Sequence, residues 1–267
     1  VTMSGVVSGA FDLTKAGSAE LTLSGANTFS GATVVDAGTL TLSGGSALDN
    51  SMAVTVNASG TLKLASSEEI ATLAGSGAVN LQANVLTLSG SGNTGYSGVM
   101  SGSGSLVKSG SGELTLTGTN TFSGGATVSA GSVLVGDNAA FGTGTVVFSG
   151  GKIASDSTAA RTMTNALTLS GALVLGDATK TGALTLSGAA ALDAATTLTV
   201  ASAATLGGAV SGAYSLTKAG SAELTLSGTN TFSGATVVDA GTLTLSGGSA
   251  LANSMAVTVN ASGTLKL

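Results

Sequence analysis

"SAELTLSGANTFSG" (Ser18–Gly31) and "SAELTLSGTNTFSG" (Ser221–Gly234) lie 203 positions apart and differ only where Ala26 becomes Thr229. Inside the stretch, Leu21 and Leu23 alternate with Glu20 and Thr22, the period of two that marks a strand with one buried face. Ser, Gly and Asn follow at once, so the strand is short and ends in a corner. The same fourteen letters written twice build length, because near-verbatim copies are a poor way to build a single catalytic pocket.

Working outward, Val6–Leu64 matches Ala209–Leu267 with five differences in 59 positions: Val6/Ala209, Phe11/Tyr214, Asp12/Ser215, Ala26/Thr229 and Asp49/Ala252. A more diverged copy begins at Leu106, at an offset of 93, as "LVKSGSGELTLTGTNTFSGGATVSAG". It keeps Lys108, Glu113, Leu114, Leu116, Asn120, Phe122 and Gly124. Internal repetition on this scale is the signature of a stacked architecture.

A finer beat runs within each copy, with "ELTL", "TLTL", "AVTV" and "TLKL" separated by Gly, Ser, Asn and Asp. Leu21, Leu40, Leu62 and Leu81 form one series, and Leu13, Val34, Val54 and Leu73 another, each recurring roughly every 20 residues. Two interleaved ladders with one period predict an all-β fold, a parallel β-helix (β-solenoid) of about 13 coils. Alternate residues such as Leu21 and Leu23 point inward, and Thr22 points to solvent. One coil buries too little apolar surface to offset the entropy of ordering its backbone, so only stacking makes it fold. Residues 1–267 are expected to form a single continuous solenoid segment of a longer repetitive chain. Its repeats are 6–64, 93–148 and 209–267, with a diverged stretch at 149–208.

Composition agrees. There are 42 Gly and no Pro, Cys, His or Trp, and only 8% of residues are charged. Pro would delete ladder hydrogen bonds in a central strand, and β-branched residues with Gly suit short strands and sharp corners. The absence of Cys rules out a disulfide framework. Eight Lys and Arg residues in a chain of net charge −5 cannot supply the basic stripe that a nucleic-acid partner requires. No stretch approaches the roughly 18 apolar residues of a membrane helix, and an outer-membrane barrel would need aromatic girdles that two Tyr and six Phe hardly furnish.

Without His or Cys, the nucleophile–His and His–metal schemes are excluded, leaving only carboxylates for catalysis. Glu68–Glu69 is the adjacent acidic pair, but strand neighbours face opposite ways, so both read as solvated surface. Lys15/Glu20, Lys108/Glu113 and Lys218/Glu223 recur at one spacing and read as surface ion pairs flanking a turn. The zone from which a polysaccharide-acting β-helix enzyme could be built is the irregular stretch with Lys152, Asp156 and Arg161. Outward Thr at Thr39–Thr41 and Thr242–Thr244 raises an ice-binding surface, yet most coils carry a single outward Thr, as at Thr22 and Thr115. No calcium-binding nonapeptide of the β-roll type occurs, so neither metal nor cofactor is expected, and the chain reads as no enzyme.

The positions that organise the copies are structural. Leu21, Leu23, Leu114, Leu116, Leu224 and Leu226 are the predicted inward ladder. Asn27, Asn120 and Asn230 stand beside Gly, where Asn tolerates a left-handed corner and bonds its own backbone. Phe29, Phe122 and Phe232 are read as packing against the corner, in preference to a carbohydrate-stacking platform.

"GAFDLTKAGSAELTLSGANTFSGATVVDAGTLTLSG" (Gly9–Gly44) and "GSGSLVKSGSGELTLTGTNTFSGGATVSAGSVLVG" (Gly102–Gly136) resemble the autotransporter-associated β-strand repeat. Its pattern is G-x-L-x-K-x-G-x-G-x-L-x-L-x-G-x-N-x-aromatic-S-G-G-T. Ala19 and Ala222 replace the Gly kept at Gly112, and the second Gly of "SGG" is present only at Gly125. The resemblance implies a right-handed parallel β-helix in the passenger of a bacterial surface or secreted protein, exported by the type V route through an outer-membrane β-barrel translocator. It implies an extracellular location, outer-membrane attached. The expected role is a structural segment of a passenger, adhesin stalk or surface fibre that gives length and rigidity. Self-assembly head to tail is an alternative. The expected partners are neighbouring repeats of the same or identical chains.

Overall fold

The computed structural model describes residues 1–50, 52–247, 250–251 and 256–267; Ala252, one of the positions that differ between copies, lies outside the described residues. Among the described residues there is no helix, and every strand pairing is parallel. The chain forms two compact units, Val1–Gly131 with Ala139–Gly144, and Ser132–Asn138 with Thr145–Leu267. Each is a parallel β-solenoid.

In the first unit the coil has three sides. One stack runs through Leu13–Lys15, the start of Thr33–Leu42, the start of Ala53–Leu64, Thr72–Gly75, Thr94–Tyr96 and Glu113–Leu116. A second runs through Thr2–Met3, Glu20–Leu23, the ends of the two long strands, Ala78–Asn80 and Met100–Ser101. The third runs through Glu68–Ile70, Val85–Leu88, Ser105–Lys108 and Ala126–Val128. The long strands turn the corner between two sides within themselves, and the register slips between Val35 and Ala37 as an extra residue is absorbed there.

The alternation read from sequence is what fills the interior. Leu40, Leu42, Val54, Val56, Leu62, Leu64, Leu73 and Val79 are all essentially inaccessible. Leu21, Leu40 and Leu62 stack as predicted, but the next partner of Leu62 is Val79 and not Leu81. This coil is short, advancing 17 positions where Leu13 to Thr33 advances 20, and Leu81 is buried two residues further on.

The second predicted series slips at its second member. Leu13 pairs with Thr33, Thr33 with Val54 and Val54 with Leu73, so Val34 is out of the ladder. Thr33 is fully buried with its hydroxyl 4.0 Å from Met52 Sδ, while Val34 is half-exposed. Strand parity, set by Val35 on the same face, overrides side-chain polarity here.

The second unit repeats the three-sided plan. Its stacks are Ser132–Val135, Lys152–Ser155, the end of Leu167–Leu175, the end of Ala190–Val200, Leu216–Ala219, Thr236–Val238 and Val257–Val259; then Val146–Phe148, Leu167–Leu169, Ala190–Leu192 and Val210–Ser211; and Arg161–Met163, Leu184–Leu186, Ala204–Leu206, Leu224–Leu226 and Leu243–Leu245. The diverged stretch keeps the three-sided plan with longer coils, Leu167 to Ala190 and Arg161 to Leu184 each advancing 23 positions. A register slip lies between Leu169 and Gly171, where the partner advances from Leu192 to Thr196.

Copies do not keep to one side of the coil. In the first unit, Lys15 lies on the first stack and Glu20–Leu23 on the second. Lys108 lies on the third stack and Glu113–Leu116 on the first. An offset of 93 is not a whole number of coils of about 20 residues, and three equivalent sides let the motif start on any of them.

Candidate functional site

The recurring Asn is buried and bonded both ways. Asn120 Oδ1 accepts from Met100 N at 2.7 Å, and its Nδ2 donates to Ala140 O at 2.7 Å. Asn27 does the same with Val7 N at 2.8 Å and Ala47 O at 2.7 Å. Asn230 accepts from Val210 N at 2.7 Å and donates to Ala250 O. Each partner lies 20 positions away, one coil before and one coil after. The expected left-handed, self-bonding Asn is therefore corrected: the non-Gly residue with positive φ among the described residues is Gln82. An amide that both donates and accepts replaces a ladder rung where the chain bends out of strand geometry.

Phe122 and Phe232 are fully enclosed and Phe29 is 3% exposed, so these rings fill the corner beside the Asn and offer no platform to a sugar. Leu23, Leu114, Leu116, Leu224 and Leu226 are buried; Leu21, in the first coils, is half-buried.

The lysines overturn the surface ion-pair reading. Lys15 is 6%, Lys108 4% and Lys218 0% exposed. Lys218 Nζ donates to Ala219 O at 2.9 Å, Gly220 O at 2.7 Å and Ala240 O at 2.9 Å. Lys15 Nζ donates likewise to Ala16 O, Gly17 O and Ala37 O, and Lys108 Nζ to Gly110 O. The cause is parity: Lys15 shares the inward phase of Leu13, whereas Glu20 alternates with Leu21 and points out. Glu20 instead accepts from Thr41 Oγ1 at 2.5 Å and lies 4.0 Å from Lys63 Nζ. Burial pulls the Lys108 and Lys218 ammonium groups below their ordinary pKa. The three acceptors around Lys218 are carbonyls where the chain turns: Ala219 ends its strand, Gly220 follows it, and Ala240 lies at the register slip one coil on, so the ammonium group closes the corner.

Glu68 is a second correction. It and Glu69 do face opposite ways, but Glu68 is 3% exposed. Its carboxylate accepts from Leu48 N at 2.8 Å and Ala47 N at 3.3 Å. Burial pushes its pKa up, against those two amide bonds. Tyr96, which the sequence reading passed over, is 1% exposed and donates to Gly77 O at 2.7 Å; burial raises its pKa as well.

In the irregular stretch, Lys152 Nζ lies 2.6 Å from Asp177 Oδ2, and Arg161 Nη2 lies 2.8 Å from Asp156 Oδ1. Asp177 also accepts from Thr179 N, Thr179 Oγ1 and Lys180 N, and the bond from Lys152, with those from Thr179, holds it well below the usual carboxylate range. Arg161 Nε donates to Val135 O at 3.2 Å. Lys152, Asp156 and Arg161 thus sit in two separate loop-closing ion pairs. Outward Thr do align: Thr162, Thr185, Thr205, Thr225 and Thr244 are successive partners on one side of the second unit, one per coil.

What the repeated polar residues do, then, is tie coil to coil. The family model described as passenger-associated-transport-repeat matches residues 13–48, 106–135 and 216–245. No curated protein and no solved structure matches the chain. Each matched segment holds one buried Lys, one Glu-Leu-Thr-Leu sequence and one Asn-x-Phe corner, and these three segments of the chain are what is similar to the passenger-associated-transport-repeat.

Proposed function

We propose that this solenoid is the extracellular structural part of an autotransporter passenger, a stalk that holds other passenger sequence away from an outer-membrane barrel. One observation carries the reading: Asn27, Asn120 and Asn230 commit both ends of their amides to the coils on either side, and Lys15 and Lys218 commit their ammonium groups to corner carbonyls. Residues that recur for a ligand would keep a polar atom facing out. Residues that recur for stacking behave like these.

The coils are right-handed in this proposal, because a parallel strand–connection–strand unit in one sheet takes that hand in nearly all proteins. Residues 1–267 act as one segment, with neighbouring repeats as its partners and the barrel as its export route. Catalysis has no support from Lys152, Asp156 and Arg161, whose charges are engaged in separate pairs.

The test is surface display with a reporter domain ahead of residues 1–267 and a translocator barrel behind. Inserting a further copy of Ala209–Leu267 is expected to move the reporter outward by about 4.8 Å per added coil, read as reporter height above the membrane by electron tomography. A height independent of copy number would overturn the stalk reading.

A further inference from the structure

One part of the first unit follows a different logic. Between the copies at 6–64 and 93–148, the stretch "NLQAN" (Asn80–Asn84) forms a turn beside an open groove of about 690 Å³. Lys63, Asn80 and Ser101 are successive partners on one side of the coil, so a cation, an amide and a hydroxyl stand in line about 4.8 Å apart. Asn80 Oδ1 accepts from Gln82 N at 2.9 Å, Asn84 Nδ2 donates to Leu64 O at 3.0 Å, and Ser103 Oγ donates to Gln82 O at 3.1 Å. The turn is therefore held on both sides by neighbouring coils. Gly102 permits it, since a Cβ there would come within 2.7 Å of Gln82 N.

Gln82 has φ 51°, a left-handed conformation that the chain otherwise gives to Gly among the described residues. A disfavoured backbone that retains a long amide side chain where Gly would be easier marks a position selected for that side chain. The Gln82 side chain is exposed and lines the groove with Asn80, Asn84 and Ser103.

We propose that this groove binds a saccharide that carries a carboxylate. Amides donate and accept at once, which suits vicinal hydroxyls; Ala65 and Ala83, both exposed, supply the apolar wall that the C–H face of a sugar needs. Lys63 is the cation in the groove, with its side chain 40% exposed and only a 4.0 Å contact to Glu20, so it can pair with one carboxylate. A single lysine on a chain of net charge −5 suits one acidic sugar and not a polyanion such as nucleic acid.

The experiment titrates the full 267-residue chain by calorimetry with a glucuronate-containing oligosaccharide, its neutral glucose counterpart, sialyllactose and lactose. Tighter binding of either acidic probe than of its neutral partner, by about tenfold, is expected, and which of the two binds identifies the source of the carboxylate. Lys63→Met keeps the stem and should bring the acidic probe down to the neutral level. Gln82→Gly relieves the left-handed backbone, keeps the fold, and should weaken both acidic and neutral binding by about fivefold or more. The proposal is overturned if no acidic probe binds better than its neutral partner, or if both variants bind as the parent chain does.

Discussion

Replacing Asn120 by Ala isolates the coil-tying role of the repeated amide. The side chain is 2% exposed and makes two bonds of 2.7 Å, from Met100 N and to Ala140 O. Truncation leaves a buried donor in the coil before and a buried acceptor in the coil after. At about 1–3 kcal/mol for each unsatisfied group, the loss is about 2–6 kcal/mol. Because a solenoid is held by nearest-neighbour interfaces, this loss falls on the coils around residues 100–140 before it is felt elsewhere. Hydrogen exchange at the Met100 amide is the direct assay, since Asn120 is its acceptor. A local loss of about 2 kcal/mol speeds exchange there about thirtyfold. Asn57→Ala, which removes only an exposed bond to Asp36, is the control and should stay within about 0.5 kcal/mol. Unchanged Met100 exchange together with a global loss below about 1 kcal/mol would refute the claim that the amide joins coils.

Three further outcomes follow from the corner chemistry. Lys218→Met should cost about 2–4 kcal/mol, because corner carbonyls lose their donor, whereas Glu223→Gln on the exposed face should cost at most about 0.5; denaturant titration of the two variants separates a buried corner lysine from a surface ion pair. Glu68 has a folded pKa raised above its ordinary 4.5, so the native state holds the extra proton between the two values; stability should fall as pH rises from about 4.5 through the raised value and then level off, and Glu68→Gln, compared over about pH 4 to 8, should lose that slope. Gly98→Ala places a Cβ within 1.8 Å of Gly77 O and should cost about 3 kcal/mol or more in a melting experiment, whereas Gly95→Ala, with nothing within 4 Å, should be near neutral.

Much of the coil was legible from residue order. The Leu-x-Leu alternation and the 20-residue recurrence led to parallel short strands, and Leu40 on Leu62 is the pairing they imply. Corners were harder. Lys15 is a polar side chain that the strand's parity turns inward although its charge reads as surface, and Thr33 takes the ladder position expected for Val34. Glu68 sits in a strand too, but its burial depends on the amides of Ala47 and Leu48, 21 and 20 positions earlier, which no local pattern reveals. The groove at Lys63, Asn80 and Ser101 had no signal at all, since its members meet only through register.

The sequence by itself determined the period, the strand-and-corner alternation and the absence of His and Cys chemistry, because side-chain parity and turn residues act over a few positions. Tertiary structure alone decided which polar groups are buried, which side of the coil each copy occupies and where a groove opens. Those depend on what the coils above and below present about 20 residues away, where lost hydration has to be replaced by another coil's backbone.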